Sequence, residues 1–168
     1  MNKLWSRPTT KTKKNSSAIH VYHNRQFPLK DIVDVLYPLF GNDYPYNDLL
    51  YLIDTAHHIF CAYDETKHLC VGCALIKSVK TGGLYLSLFG VRQSSQHRGV
   101  GTQLLKKIIR WAYRTGHSFI YLHVHVINYK AIGLYEKVGF RTDDYLPGFY
   151  SASSKPKPDA FQMVLYFQ

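Results

Sequence analysis

The stretch SLFGVRQSSQHRGVGTQLL, residues 87–105, limits what this chain can fold into more than any other. A strand-like apolar run stops at Val91, a polar turn carries Gly99 and Gly101, and apolar residues then recur at 100, 104, 105, 108, 109 and 112. That recurrence is the period of an amphipathic helix. A strand that passes through a glycine-bearing turn into a helix leaves the first helical N–H groups unpaired and pointing outward, which makes an anion site. Gly99 and Gly101 let backbone approach a phosphate without Cβ interference, and Arg98 adds charge. The stretch has no Gly-Lys-Ser/Thr, so it is not a P-loop, and its glycine spacing differs from the dinucleotide fingerprint.

The remaining elements alternate around this junction. Residues 1–17 are polar, basic and aperiodic and read as a flexible tail, leaving 18–168 as one domain. A first strand is expected over 18–22, a helix from Pro28 with Leu29, Ile32, Val33, Leu36 and Leu39 on one face, and a short helix over 47–55. Strands are expected over 57–63, 68–79 and 84–91, then the long helix, a strand over 118–126, a short helix over 128–138 and strands over 140–146 and 160–167. The class is α/β with a mostly antiparallel sheet.

Composition narrows the setting. The 168 residues are 46% hydrophobic, enough for one full core, and no apolar run approaches a membrane span. Three cysteines in a domain of this size need not be paired and point to a reducing, intracellular compartment, the cytoplasm first, with membrane-peripheral or nuclear placement left open. The charge is unevenly divided: +7 over residues 1–30, −7 over 31–65 and +10 over 66–168. Such a division suits a protein holding an anionic ligand on one side and a cationic one on the other, and an ordinary solvated surface explains it as well. Cys70-x-x-Cys73 with Cys61 superficially suggests zinc, but residues three apart on a strand point to opposite faces and there is no second pair, so no metal is expected.

The Gln96-x-x-Gly99-x-Gly101 motif between a strand and a long helix resembles the signature of the GCN5-related N-acetyltransferases (GNAT), and the likeness covers roughly residues 18–167. The stretches around Tyr85, Tyr121 to Val124, Asn128 to Glu136, Tyr145 to Pro147 and Lys157 to Tyr166 are most similar to the protein N-terminal acetyltransferases of the NatE and NatF types. The resemblance implies a GNAT fold: about seven strands, splayed between the fourth and fifth, with about four flanking helices. It implies acetyl-CoA as co-substrate, held by Phe89, Gly90, Val91, Gln96, His97, Arg98, Gly99, Val100, Gly101, Thr102, Asn128 and Tyr135.

Tyr85 and His123 are implied as the general base through an ordered water, with Tyr135 serving the departing thiolate. Read from the residues alone, a phenol and an imidazole on adjacent splayed strands can share one cleft beside an incoming amine. Tyr37, Pro38 and Leu39 resemble the turn that receives the first residue of the peptide, and Phe149 and Tyr150 stand where relatives carry paired tyrosines. Phe149 lacks one of those hydroxyls, and the FGNDYPYND loop looks longer than in relatives.

The implied reaction is direct acetyl transfer to the α-amine of protein N-termini, with Met before a hydrophobic residue favoured. Lysine or polyamine acetylation, or a silent acyl-CoA-binding or basic nucleic-acid-binding module, are the alternatives. Nucleic acid is not expected, because the basic residues are not interleaved with an aromatic platform.

Overall fold

The computed structural model describes residues 18–24, 26–150 and 158–168. The basic tail and Lys157 of the closing-strand motif lie outside the described residues. The described elements run β1 (Ile19–His23), α1 (Leu29–Phe40), α2 (Tyr46–Asp54), β2 (His58–Asp64), β3 (Leu69–Ser78), β4 (Leu84–Val91), a short 3-10 turn at Gln93–Ser95, α3 (Val100–Arg114), β5 (Phe119–His125), α4 (Tyr129–Lys137), β6 (Arg141–Leu146) and β7 (Ala160–Tyr166). The seven strands form one sheet in the order β1-β2-β3-β4-β5-β7-β6. Every pairing is antiparallel except β4 with β5.

Strand periodicity sorts side chains onto two faces. On β3, Ala74 and Ile76 join Leu104, Leu105 and Ile108 of α3 in one core, while Cys73 and Leu75 join Ile32, Val35 and Leu36 of α1 in the other. Helices therefore cover both faces. The α1 stripe differs slightly from the sequence reading, since Val35 is buried and Leu29 exposed. Pro28 caps α1 from outside rather than filling its first turn.

Two bulges change the phase of the central strands. Ile76 pairs with Leu86 and Leu75 with Leu88, so Ser87 is the extra residue on β4, and its Oγ donates to the Leu75 carbonyl at 3.1 Å. A bulge re-aims the strand beyond it, and Leu86 and Leu88 accordingly enter opposite cores. The second bulge corrects the reading of the cysteines. Ala62 pairs with Gly72 and Tyr63 with Cys70, which leaves Val71 as the extra residue. Cys70 and Cys73 thus face the same side and meet Cys61 in the α1 core, all three free and buried. Contact with Cys70 lowers the Cys61 thiol, but contact with Cys73 and burial push it up overall, and contact with Cys61 and burial push the Cys70 thiol up. Among the described residues no group of three His, Cys, Asp or Glu is placed to hold a metal, and no helix is long and apolar enough to cross a membrane.

The parallel pairing of β4 and β5 is confined to Leu84 with Ile120 and Tyr85 with Tyr121. Past that point the two strands part, and a cleft opens between them.

Candidate active site

The cleft is a cavity of about 560 Å³ lined on one side by β4 from Leu86 to Val91 and on the other by His123, Val124 and His125 of β5. Gln96, His97, Gly99, Val100, Gly101 and Thr102 close one end, and Asn128, Lys130, Leu134, Tyr135 and Lys137 add the α4 wall. Leu39, Phe40, Asp43 and Tyr44 from the end of α1 and its loop, with Tyr150, line the opposite end.

On the α3 side of the cavity, the helix starts after Gly99, whose φ of 78° is left-handed, and no side chain caps it. Its first turn holds no acid, so the free N–H groups keep their positive potential. His97 is also left-handed, at φ 62°, and the backbone winds tightly just ahead of the helix. Gly101 has a different reason to be glycine from the one expected. A Cβ there would come within 3.1 Å of Leu134 on α4, so it permits close packing of α4 against α3. The Gln96 amide donates to the Val91 carbonyl at 2.9 Å and accepts from Lys130 at 2.9 Å, and Lys130 also lies 3.0 Å from His97.

Lys130 is the cation the sequence reading missed. Arg98, which that reading favoured, is exposed and does not line the cavity. Asn128 also differs, because its side chain caps α4 by accepting from the Ala131 N–H at 3.2 Å. Unpaired amides, a left-handed glycine and a lysine together suit a pyrophosphate and the phosphates around it.

Of the expected pair, His123 lines the cavity, and Tyr85, which does not, is bonded to it. The Tyr85 hydroxyl and His123 Nδ1 are 2.9 Å apart, a direct hydrogen bond between the two groups that the sequence reading set together beside the incoming amine. Burial pushes the Tyr85 phenol up, with Tyr44 and Tyr121 adding to the rise, and keeps it protonated. Burial lowers His123, and its bond to Gln162 partly offsets that. Tyr135 is buried on the cavity wall between Phe89 and Phe140, and burial raises its hydroxyl.

On the α1 side of the cavity the expected acceptor residues are only partly gathered. Tyr37 is exposed and packs on Tyr46, and Pro38 lies inside the last turn of α1, so of that trio only Leu39 reaches the cavity. Helix propagation to Phe40 and the start of α2 at Tyr46 shorten the loop to residues 41–45, because Pro45 is itself the cap of α2. Phe149 lies with its ring centroid 4.4 Å from that of His123, and Tyr150 stacks on His125 at 3.6 Å. The loop that carries them is held by Asp159, which accepts from the Gly148 N–H at 2.8 Å and from the Tyr145 hydroxyl, and by the Tyr150 N–H, which donates to the Pro158 carbonyl at 2.7 Å.

The cavity is thus lined by charges of both signs, Lys130 and Lys137 of α4 and Asp43 of the α1–α2 loop. The model of the acetyltransferase (GNAT) family matches residues 17–140, a span that includes the split strands and the α3 turn. The chain belongs to this family. It is an acetyl-CoA-dependent acetyltransferase, and its sheet and four helices have the GNAT arrangement that the sequence implied. It is similar to N-alpha-acetyltransferase 50 of Danio rerio, 28% identical over 123 residues that span 73% of this chain and 72% of that protein. Among solved structures, the Bacillus subtilis acetyltransferase in complex with CoA shares the fold at a TM-score of 0.76 and 15% identity, covering 89% of this chain and 99% of that one. Arabidopsis thaliana Naa50 in complex with the bisubstrate analogue CoA-Ac-MVNAL shares it at a TM-score of 0.67 and 24% identity, with coverage of 89% and 99%.

Proposed function

We propose that this acetyltransferase acts on the free α-amino group of protein N-termini, favouring Met followed by a hydrophobic residue. The observation that carries the reading is the Tyr85–His123 hydrogen bond at the point where β4 and β5 part. The likeness to N-alpha-acetyltransferase 50 supports the acceptor class, as does the peptide-bearing ligand of the Arabidopsis structure.

Acetyl-CoA supplies the activated acyl group. Its diphosphate is assigned to the N-terminus of α3 with Gln96, His97, Gly99, Val100, Gly101, Thr102 and Lys130, and its pantetheine arm to the cavity-lining strand Phe89, Gly90 and Val91. An amide N–H of that strand end faces the thioester carbonyl and stabilises the charge that develops on its oxygen.

The amine nitrogen attacks the carbonyl carbon and the carbon–sulfur bond breaks. One amine proton passes to the Tyr85 oxygen as the Tyr85 proton passes to His123 Nδ1, so neither a phenolate nor a covalent enzyme intermediate forms. The raised Tyr85 phenol and the lowered His123 imidazole suit this relay, because the first remains a proton carrier and the second is neutral at pH 7. The Tyr135 hydroxyl stabilises the leaving thiolate by a hydrogen bond and stays protonated, and the proton taken up by His123 passes to solvent. An α-amine with pKa near 8 is about one-tenth neutral at pH 7, against a few parts in ten thousand for a lysine amine, and the weak relay favours the former.

Two substitutions test the reading. Tyr85→Phe and His123→Ala are each expected to lower kcat on a Met-Leu peptide by roughly a hundredfold or more, with the KM for acetyl-CoA little changed. Wild-type kcat in both variants would overturn it.

A further inference from the structure

The hydrogen bonds do not end at His123. Its Nε2 lies 3.1 Å from Oε1 of Gln162, and the Gln162 amide nitrogen donates to Oδ2 of Asp143 at 3.0 Å. Register explains how the three residues meet. Gln162 on β7 is directly opposite His123 on β5, and on its other side it pairs with Asp144 of β6. The β6–β7 register shifts between Thr142 and Asp144, so Asp143 is the extra residue of a bulge. Such a residue is free of the strand's alternation, and here its carboxylate turns to Gln162.

We propose that Gln162 is a positioning residue for the base, held by Asp143 and in turn holding the His123 ring in the tautomer protonated at Nε2, so that Nδ1 presents its lone pair to Tyr85. The proposal rests on the reading of Tyr85 and His123 as the base.

The chemistry of the donors allows one orientation. A carboxylate only accepts, so the side of the Gln162 amide facing Asp143 must be its NH₂, which leaves the amide oxygen toward His123. An oxygen acceptor at Nε2 requires the proton to be there, and a neutral imidazole has one N–H and one lone pair. The lone pair is then at Nδ1, within 2.9 Å of the Tyr85 hydroxyl. As His123 takes the Tyr85 proton it becomes cationic, and the bond from Nε2 to Gln162 becomes charge-assisted.

The groups facing His123 from the elements packed on it are Tyr85 of β4, Tyr121 of β5, Phe149 of the loop after β6, and Gln162 of β7 with Asp143 behind it. Tyr44 and Asp43 of the α1–α2 loop bear on Tyr85 and Tyr150 rather than on His123.

The test compares wild type, Gln162→Leu, Asp143→Asn, the exchanged pair Gln162→Glu with Asp143→Asn, and His123→Ala, all in the full chain. It reads kcat on a Met-Leu peptide against pH and the ¹⁵N shifts of the histidine ring nitrogens. Gln162→Leu is expected to lower kcat roughly tenfold to a hundredfold at unchanged KM for acetyl-CoA, to move the acid limb to lower pH and to lose the Nε2–H signature. The exchanged pair keeps an acceptor at Nε2 and a hydrogen bond behind it. It is expected to recover most of the lost kcat and to move the acid limb above that of wild type.

A Gln162→Leu protein with wild-type kcat, pH profile and His123 ring shifts would overturn the proposal. If that variant does not fold, Asp143→Asn and the exchanged pair decide in its place, and ring shifts and acid limbs unchanged in both would equally overturn it. The ring shifts report the tautomer whether or not His123 is the base, whereas wild-type kcat in His123→Ala would defeat the base reading alone.

Discussion

Burial acts in opposite directions on the two ends of the Tyr85–His123 bond. It raises the phenol, which stays protonated, and lowers the imidazole below its usual 6.5, which leaves it neutral at physiological pH. A base works in its unprotonated form, so kcat should rise with pH through the His123 pKa and level off above it. The expected limb has its midpoint below 6.5, because His123 is lowered, and it disappears in His123→Ala. A kcat profile with its acid midpoint above 6.5 would contradict this assignment. The acceptor's own ionisation enters kcat/KM instead, adding a limb near pH 8 for an α-amine. That Tyr85 and His123 meet, and that Tyr135 reaches the cavity, was legible from residue type and motif context. Lys130 and Gln162 were not, since each acquires its place through a partner on another element, Lys130 from Gln96 and Gln162 from the β5 register.

At the scale of elements, the α3 turn depends on one conformation. Gly99 sits at φ 78° with nothing within 4 Å of where a Cβ would lie, so Gly99→Ala meets no clash and bears only the left-handed penalty. That penalty is about 1–2 kcal/mol, equivalent to a fall of about 2–8 °C in melting temperature for a domain this size. If the turn cradles phosphate, the KM for acetyl-CoA should rise while kcat stays within about twofold, which thermal melts and initial rates together would measure. An unchanged KM would remove Gly99 from the phosphate site.

Every helix and strand was readable to within a residue or two, because each has a clear period or a punctuating Gly or Pro. The bulges at Val71, Ser87 and Asp143 were not, because an extra residue is a property of two paired strands. Missing the one at Val71 put Cys70 and Cys73 on opposite faces. Taking Tyr37-Pro38-Leu39 for a turn, when these residues lie in the last turn of α1, put Tyr37 and Pro38 in the expected acceptor site.

For the whole molecule, the parting of β4 from β5 joins two chemistries in one cleft. The basic C-terminal part supplies α3, α4 and the anion end, and the acidic segment supplies α1, α2 and Asp43 at the other. This division was visible in the charge distribution, but only the sheet order brings its two sides to a single cavity. The central claim concerns what enters from the acidic side. The full chain, acetyl-CoA and two peptides decide it: one with a free Met-Leu N-terminus and no lysine, the other blocked at its N-terminus and carrying internal lysines, with CoA release followed for each. Release with the first peptide alone is the expected result. Release with the second alone would contradict N-terminal acetylation and make the protein a lysine acetyltransferase.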